Sequence, residues 1–178
     1  MTSWRPGQRR ADSASMLRVD QAGEYGATRI YAGQLAVLRA NCAEAKLISR
    51  MAAQEQRHLQ RFDRLVAERG VRPTALQPVW NVAGFALGAA TALMSPEAAL
   101  ACTDAVETEI DRHYGRQLDD LGEDDPELAR DIAEFRADEV EHRDSAREAG
   151  ARNAAGYPLL TAAIRAGCKV AIGLSKRI

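Results

Sequence analysis

Six side chains able to bind a metal ion recur in two sets of three along the chain. They are Glu24, Glu55 and His58 in the first set, and Glu107, Glu139 and His142 in the second. Within each set, the second glutamate and the histidine form a Glu-x-x-His pattern. Positions i and i+3 of a helix face the same way, so this pattern presents a carboxylate and an imidazole to one metal ion.

The six residues fall within predicted helices, and turn and cap signals separate those helices. Gly70 and Pro73 end the second helix, while Ser95-Pro96 and Asp125-Pro126 begin the fourth and the fifth. We predict helices at 12–40, 43–69, 78–93, 95–121, 125–150 and 158–178. No alternating pattern of β-branched residues indicates a strand.

The spacing of the glutamates agrees with the predicted turns. Residues equidistant from a tight turn between antiparallel helices lie at the same height. The midpoint of Glu24 and Glu55 lies beside Ala40, and that of Glu107 and Glu139 at Glu123, both in predicted turns. Each isolated glutamate therefore faces its own Glu-x-x-His pattern across a helical hairpin.

Two such hairpins packed face to face would bury four carboxylates and two imidazoles in one layer. Two divalent cations would offset the four negative charges, which could not be buried alone without a large energetic cost. The oxygen and imidazole ligands suit iron or manganese better than zinc. This ligand set is typical of ferritin-like four-helix bundles with two metal ions.

Composition and charge fit one helical domain of 178 residues. Hydrophobic residues make up 46%, and the net charge of -1 argues against a nucleic-acid partner. We expect a mobile tail at 1–10 and a single domain at 11–178. Cys42, Cys102 and Cys168 form no Cys-x-x-Cys pair, which favours a reducing compartment. No run reaches the roughly 18 apolar residues of a membrane span.

Several segments resemble the demethoxyubiquinone hydroxylase family. The first-helix segment Val19-Asp20-Gln21-Ala22-Gly23-Glu24-Tyr25-Gly26-Ala27 is similar to the signature of that family, as is the following Arg29-Ile30-Tyr31-Ala32-Gly33-Gln34. Val106-Glu107 with His113-Tyr114 is similar too, as is the segment from Phe135 to Glu139 with His142. The resemblance covers nearly the whole chain beyond the first ten residues.

The resemblance implies a fold and an activity. The fold would be all-α, a ferritin-like four-helix bundle with two additional membrane-facing helices. The activity would be a di-iron monooxygenase, a 3-demethoxyubiquinol 3-hydroxylase, which uses O2 to hydroxylate the ring of a demethoxyubiquinone-type intermediate of ubiquinone biosynthesis. The cofactors would be two iron ions per chain, with NADH as reductant. No Gly-x-Gly-x-x-Gly fingerprint indicates a Rossmann-type nucleotide domain.

The resemblance also implies partners and a location. The partners would be a prenylated quinone, O2 and the membrane surface, with a lipid-presenting protein or a ubiquinone-biosynthesis complex and a second copy of the chain as further candidates. We expect a peripheral protein on the cytoplasmic face of a bacterial inner membrane, because no transit peptide precedes the first helix. In an organelle the corresponding place is the matrix side of the mitochondrial inner membrane.

Other residues are candidates for supporting roles. Asp138 and Asp20 are expected to accept hydrogen bonds from the metal-bound imidazoles, although both could equally be surface acids. The resemblance makes His113 and Tyr114 candidates for a proton or electron relay, whereas His113 on sequence alone is a structural residue. We expect Glu55 and Glu107 to bridge the two metals. Glu109 and Glu141 fall off the ligand face.

The last helix and the segment from Trp80 to Met94 are expected to meet the membrane. Residues 157–178 contain no acid, and an apolar stripe runs along them with cations beside it. The stripe consists of Leu160, Ile164, Gly167, Ala171 and Leu174. An ordinary core stripe beside a solvated basic face is the alternative for this helix.

Three other functions share parts of this pattern. A ferritin-like iron oxidase or store would use the same six ligands, without needing an apolar membrane face. A manganese catalase-type bundle would differ in its metal and in peroxide turnover. A helical scaffold without metal is the third.

Overall fold

The computed structural model describes residues 11–177 of the chain, and this part is all-helical, as predicted. The helices are α1 (Ser13–Val37), α2 (Ala43–Glu68), α3 (Gln77–Met94), α4 (Pro96–Leu121), α5 (Pro126–Glu148) and α6 (Tyr157–Ser175). A short 3-10 turn, Ala151–Asn153, precedes α6. The expected tail at 1–10 and the last residue of the expected domain lie outside the described residues.

The predicted helix ends carry the expected capping contacts. The Ser95 hydroxyl accepts from the Ala98 amide at 3.1 Å, and the Asp125 carboxylate accepts from Leu128 at 3.2 Å. Gly70 follows α2 with a φ of 61°, a conformation that favours glycine. The first helix ends at Val37 rather than at Ala40, because the backbone is extended at Leu38, with a ψ of 144°.

The hairpins α1–α2 and α4–α5 form a four-helix bundle whose core has two apolar parts. At one end the core contains Leu17, Phe62, Leu65, Leu128 and Ile132. The other end contains Ala27, Ile48, Met51, Leu100 and Ala146. On each of the four helices, the predicted metal ligands lie between these two clusters. The apolar ends therefore enclose a polar layer.

Helix α3 crosses α1 so closely that their backbones touch. A Cβ atom on Gly88 would lie 1.9 Å from the carbonyl oxygen of Ile30, and one on Gly33 would lie 2.1 Å from that of Phe85. Such distances leave no room for a side chain at either position. The two glycines therefore fix α3 against the helix that carries Glu24.

Helix α6 packs along α4 and buries only Thr161, Ile164 and Ser175. The predicted apolar stripe is buried at Ile164 and half-buried at Leu160, but Leu174 is 40% exposed. Large exposed hydrophobic side chains in residues 11–177 occur only on α3 and α6. They are Val79, Val82, Phe85, Leu93 and Met94 on α3, and Leu159, Val170 and Leu174 on α6.

By length and composition, α6 alone among the described helices could cross a membrane. Its mean hydropathy is 1.2 over 18 residues, and it includes the cations Arg165 and Lys169. The sequence was expected to contain no run of that kind. The difference arises because α6 reaches this value through alanines and glycines between its larger apolar residues.

Candidate metal centre

All six predicted ligands are buried and converge at the middle of the bundle. None is more than 2% exposed. The Nδ1 atom of His58 lies 3.2 Å from a carboxylate oxygen of Glu139 and 3.6 Å from one of Glu24. The Nδ1 atom of His142 lies 3.1 Å from Glu55 and 3.3 Å from Glu139. Residues far apart in sequence thus meet in one cluster.

The ligand atoms form two overlapping groups, in each of which all atoms lie within 4.8 Å of one another. One group comprises Glu24, Glu55, His58 and Glu139, and the other comprises Glu55, Glu107, Glu139 and His142. Glu55 and Glu139 therefore belong to both groups. Glu107, which was expected to bridge the metals together with Glu55, belongs to one group only. Which glutamates bridge the two metals stays a prediction.

The imidazoles are oriented by partners outside the cluster. Nε2 of His58 donates to the Asp138 carboxylate at 3.0 Å, and Nε2 of His142 donates to the side-chain oxygen of Gln54 at 3.0 Å. With the proton on Nε2, each Nδ1 directs its lone pair towards the carboxylates, which is the form that binds a metal. Asp138 thus lies where the sequence analysis expected it.

Gln54 was missed by the sequence analysis. It directly precedes Glu55, just as Asp138 directly precedes Glu139. The repeat could have revealed it, because the residue before each Glu-x-x-His pattern contacts the histidine of the other pattern.

Two buried tyrosines hold the isolated glutamates. Tyr31 donates to Glu107 at 2.7 Å, and Tyr114 donates to Glu24. Each tyrosine lies seven positions after one isolated glutamate in the sequence and contacts the other one. Tyr31 follows Glu24 and contacts Glu107, whereas Tyr114 follows Glu107 and contacts Glu24. Tyr114 was a predicted relay residue, whereas Tyr31 was missed despite the same spacing.

His113 and Asp20 form a buried pair beside this layer. Nε2 of His113 lies 3.3 Å from Asp20, which also accepts from the Gln117 amide at 2.8 Å. Asp20 was expected to accept from a metal-binding imidazole, and that expectation was wrong, because its partner is His113. The His113 ring lies 6.1 Å from the Tyr114 ring, centre to centre.

The layer contains four carboxyl groups and only two imidazoles, so negative charge predominates when all four are ionised. Burial, together with the charge of Glu139, raises the pKa of Glu55 and Glu107 well above the usual range. Burial opposes the charged form of His58, but the adjacent carboxylates of Glu139 and Glu24 outweigh it and raise its pKa to about 11. Burial lowers the pKa of His142.

The residues fit a pair of cations. Several buried atoms of the layer have no hydrogen-bond partner, and the six predicted ligands supply most of them. Those atoms are Oε2 of Glu24 and Glu107, both carboxylate oxygens of Glu55 and Glu139, and Nδ1 of His58 and His142. Buried polar atoms without partners are costly, so their convergence indicates a group that binds them all. The layer could hold a metal ion in each of its two groups.

The family model of the ubiquinone biosynthesis protein COQ7 matches residues 11–175, which include the whole bundle and α6. The chain belongs to this family. Among its COQ7-family relatives, a 3-demethoxyubiquinol 3-hydroxylase of Rhodospirillum rubrum is 55% identical over 91% of this chain and 76% of its own length.

Eukaryotic members of the COQ7 family are similar over the same region. The human relative, named a mitochondrial NADPH-dependent 3-demethoxyubiquinone 3-hydroxylase, is 49% identical over 95% of this chain and 79% of its own length. A Saccharomyces cerevisiae relative, named a mitochondrial 5-demethoxyubiquinone hydroxylase, is 42% identical over 92% and 77%. The family resemblance stated from the sequence is thereby confirmed.

Proposed function

We propose that the chain is a di-iron monooxygenase that hydroxylates the ring of a demethoxyubiquinol-type intermediate in ubiquinone biosynthesis. The observation that carries the proposal is the buried layer, in which two carboxylate–imidazole groups share Glu55 and Glu139. The relatives are named as hydroxylases of demethoxyubiquinol or demethoxyubiquinone, which supports this substrate class and reaction. We propose iron as the metal because the ligand set is rich in oxygen.

In this proposal, Glu24 and His58 would hold one iron ion, and Glu107 and His142 would hold the other. Glu55 and Glu139 would contact both, because each belongs to the two groups. Iron ions held by these residues would supply the electrons and the Lewis acidity needed to activate O2. The contribution of the chain is to fix the ligand positions and to exclude water from them.

The tyrosines would restrain the carboxylates that each belong to one group. Tyr31 and Tyr114 donate to one oxygen of Glu107 and Glu24 respectively, so the other oxygen would be available to a metal. We propose that His113 and Asp20 hold a proton beside Tyr114. This assignment is favoured by their burial and by the His113 ring, which lies 6.1 Å from the Tyr114 ring.

The substrate would approach from the side of α3 and α6. An apolar cluster that includes Ile30, Leu87, Val106 and Ile164 lies between those helices and the layer. A narrow crevice lined by Ile30, Tyr31, Val106 and Glu107 adjoins it. We propose that the exposed apolar side chains of α3 and α6 rest on a membrane, from which a prenylated quinone enters beside Glu107.

The electrons would come from NADH. The human and mouse relatives are named as NADPH-dependent, so the assay must compare both nucleotides. A lipid-presenting protein, a ubiquinone-biosynthesis complex or a second copy of the chain remain proposed partners.

The test is the metal content of protein expressed with added iron. We expect two iron ions per wild-type chain and their loss from the Glu55→Ala/His142→Ala variant. Glu141→Ala is the matched control, because Glu141 is exposed and lies one residue from His142. Hydroxylation of a short-chain demethoxyubiquinol with NADH or NADPH should follow the iron content.

The alternatives give different results. Two manganese ions with rapid peroxide turnover would indicate a catalase-type bundle. Iron oxidation without hydroxylated quinol would indicate a store. Wild-type protein without iron or manganese would contradict the proposal.

A further inference from the structure

The two halves of the metal layer repeat the same contacts. Each Glu-x-x-His histidine forms a hydrogen bond with the residue that precedes the other Glu-x-x-His pattern. Each isolated glutamate accepts a hydrogen bond from the tyrosine that follows the other isolated glutamate. Gln34 and Gln117, three positions after those tyrosines, extend the repeat. Gln34 lies 3.5 Å from Thr103, and Gln117 lies 2.8 Å from Asp20. A departure from this repeat therefore distinguishes one metal position from the other.

The main departure is the partner of each imidazole. His58 donates to a carboxylate, that of Asp138, whereas His142 donates to the neutral amide of Gln54. Both distances are 3.0 Å, so the two contacts differ in charge and not in length. A carboxylate partner makes an imidazole a stronger donor to a metal than a neutral oxygen does.

The surroundings differ in the same direction. On the side of the layer around Glu24 lies the polar pair of Asp20 and His113. On the opposite side, Thr103 takes the position equivalent to Asp20, and Ile30 takes the position equivalent to His113, each 83 residues away. The Glu24 half is thus the more anionic and polar, and the Glu107 half adjoins the apolar cluster with Val106 and Ile164.

We propose that the two metal positions are unequal, and that the position beside His58 binds a divalent metal more tightly than the position beside His142. Iron then fills the positions in sequence, the His58 position first. Loss of a hydrogen-bonding partner of a metal-binding histidine changes metal affinity about 10- to 100-fold, so a charge difference at this partner is large enough to order the two steps. The inference rests on the proposed di-iron function.

The test locates the metal rather than measuring activity. Crystals of the protein are grown without oxygen at half an equivalent of Fe²⁺ per position, and anomalous diffraction is measured at the iron absorption edge. In the wild type, we expect the anomalous peak beside His58 to exceed the peak beside His142 several-fold. Chelator competition should give two distinct stepwise Fe²⁺ affinities in solution.

Variants of Asp138 and Gln54 change the hydrogen-bond partners of the two histidines, so that each metal position is a control for the other. Asp138→Asn should make the two peaks similar, and the Asp138→Asn/Gln54→Glu variant should reverse their order. Glu134→Gln removes an exposed acid from the same helix and should leave the wild-type order unchanged. Far-ultraviolet circular dichroism checks that each variant keeps its helices.

Results that would contradict this inference differ from results that would contradict the di-iron function. Equal wild-type peaks, or a preference for His58 that persists in the reciprocal variant, would overturn the inference while leaving the di-iron function in place. Iron at neither position of the wild type would overturn both.

Discussion

Tyr31 on α1 donates a 2.7 Å hydrogen bond to Glu107 on α4, and each side chain is no more than 1% exposed. We expect Tyr31→Phe to lower the free energy of unfolding by about 1–3 kcal/mol, because the variant leaves a buried carboxylate oxygen without its donor. Urea denaturation of the metal-free protein measures the change. Tyr25→Phe, at a half-buried tyrosine of the same helix, is the control and should change stability little. An equal effect of both variants would contradict the role of the hydrogen bond.

The metal-free protein should lose stability as the pH rises. Glu55 and Glu107 have raised pKa values, so the folded chain keeps protons that the unfolded chain loses above the ordinary glutamate pKa of 4.5. The stabilising contribution of protonated His58 is complete below 6.5 and is lost as the pH rises through about 11. Glu24, with its lowered pKa, acts in the opposite direction at more acidic pH.

Metal binding has the opposite dependence, because bound metal displaces those protons. We therefore expect the difference in Tm between iron-loaded and metal-free protein to widen between about pH 5.5 and pH 8.5. Calorimetry in the two states measures it. Metal-free Glu55→Gln/Glu107→Gln protein should show a weaker pH dependence. A constant difference across this range would contradict the prediction.

The contact between α1 and α3 should tolerate no added methyl group. Gly88→Ala would place a Cβ atom 1.9 Å from the Ile30 carbonyl oxygen, so the helices must separate, at a cost of about 1–3 kcal/mol. Gly23→Ala is the control, because no atom lies within 4 Å of its added Cβ, and it should stabilise α1 by about 0.5–1 kcal/mol. Thermal denaturation compares the two. Similar Tm values for both variants would contradict the close crossing.

Arg165 should fasten α6 to the bundle. Glu109 is 1% exposed and accepts from Nε of Arg165 at 2.6 Å, with Arg112 at 3.0 Å. We expect Arg165→Ala to destabilise the attachment of α6 by about 1–2 kcal/mol, because a buried carboxylate loses a charged donor. Hydrogen exchange should accelerate in α6 and stay unchanged in α2.

Two further variants isolate the ion pair between Arg165 and Glu109. Arg116→Ala, at an exposed arginine of α4, should leave the exchange of α6 unchanged. Adding Glu109→Gln to Arg165→Ala should recover part of the protection, because the buried charge is then removed. Unchanged exchange in Arg165→Ala would show that apolar contacts alone hold the helix.

The exposed apolar side chains should govern membrane binding. Leu159 is 78% exposed and Val170 is 61% exposed, although both are large and hydrophobic. We expect Leu159→Ser and Val170→Ser each to weaken binding to anionic liposomes about tenfold, from the apolar area that leaves the lipid. Ala67→Ser and Ala133→Ser, at exposed positions of the bundle, are controls that should have no effect. Equal sedimentation of all variants would contradict a membrane role for α6.

The sequence was sufficient to predict the helices and the convergence of the six candidate ligands, because both depend on short-range spacing. Glu-x-x-His fixes a helix face, and the glycines and prolines fix the turns. The partners of the ligands depend on how the hairpins face one another, which spacing within one helix does not determine. Gln54 and Tyr31 were missed for this reason, and Asp20 was assigned the wrong partner.

The shared carboxylates and Glu109 show the same limit. Which carboxylates belong to both ligand groups depends on the rotation of all four helices, so the spacing did not single out Glu139. Helical phase correctly excluded Glu109 from the ligands. It could not reveal that Arg165 of α6 covers Glu109, because that contact joins residues 56 positions apart.

The repeated hairpin has a consequence for how the protein could diverge. A chain with a single hairpin, paired with a copy of itself, would surround the metals with identical side chains on both sides. Any substitution there would appear twice. Joining the hairpins through α3 allows isoleucine at position 30 and histidine at position 113, so one side of the layer can be apolar while the other is polar.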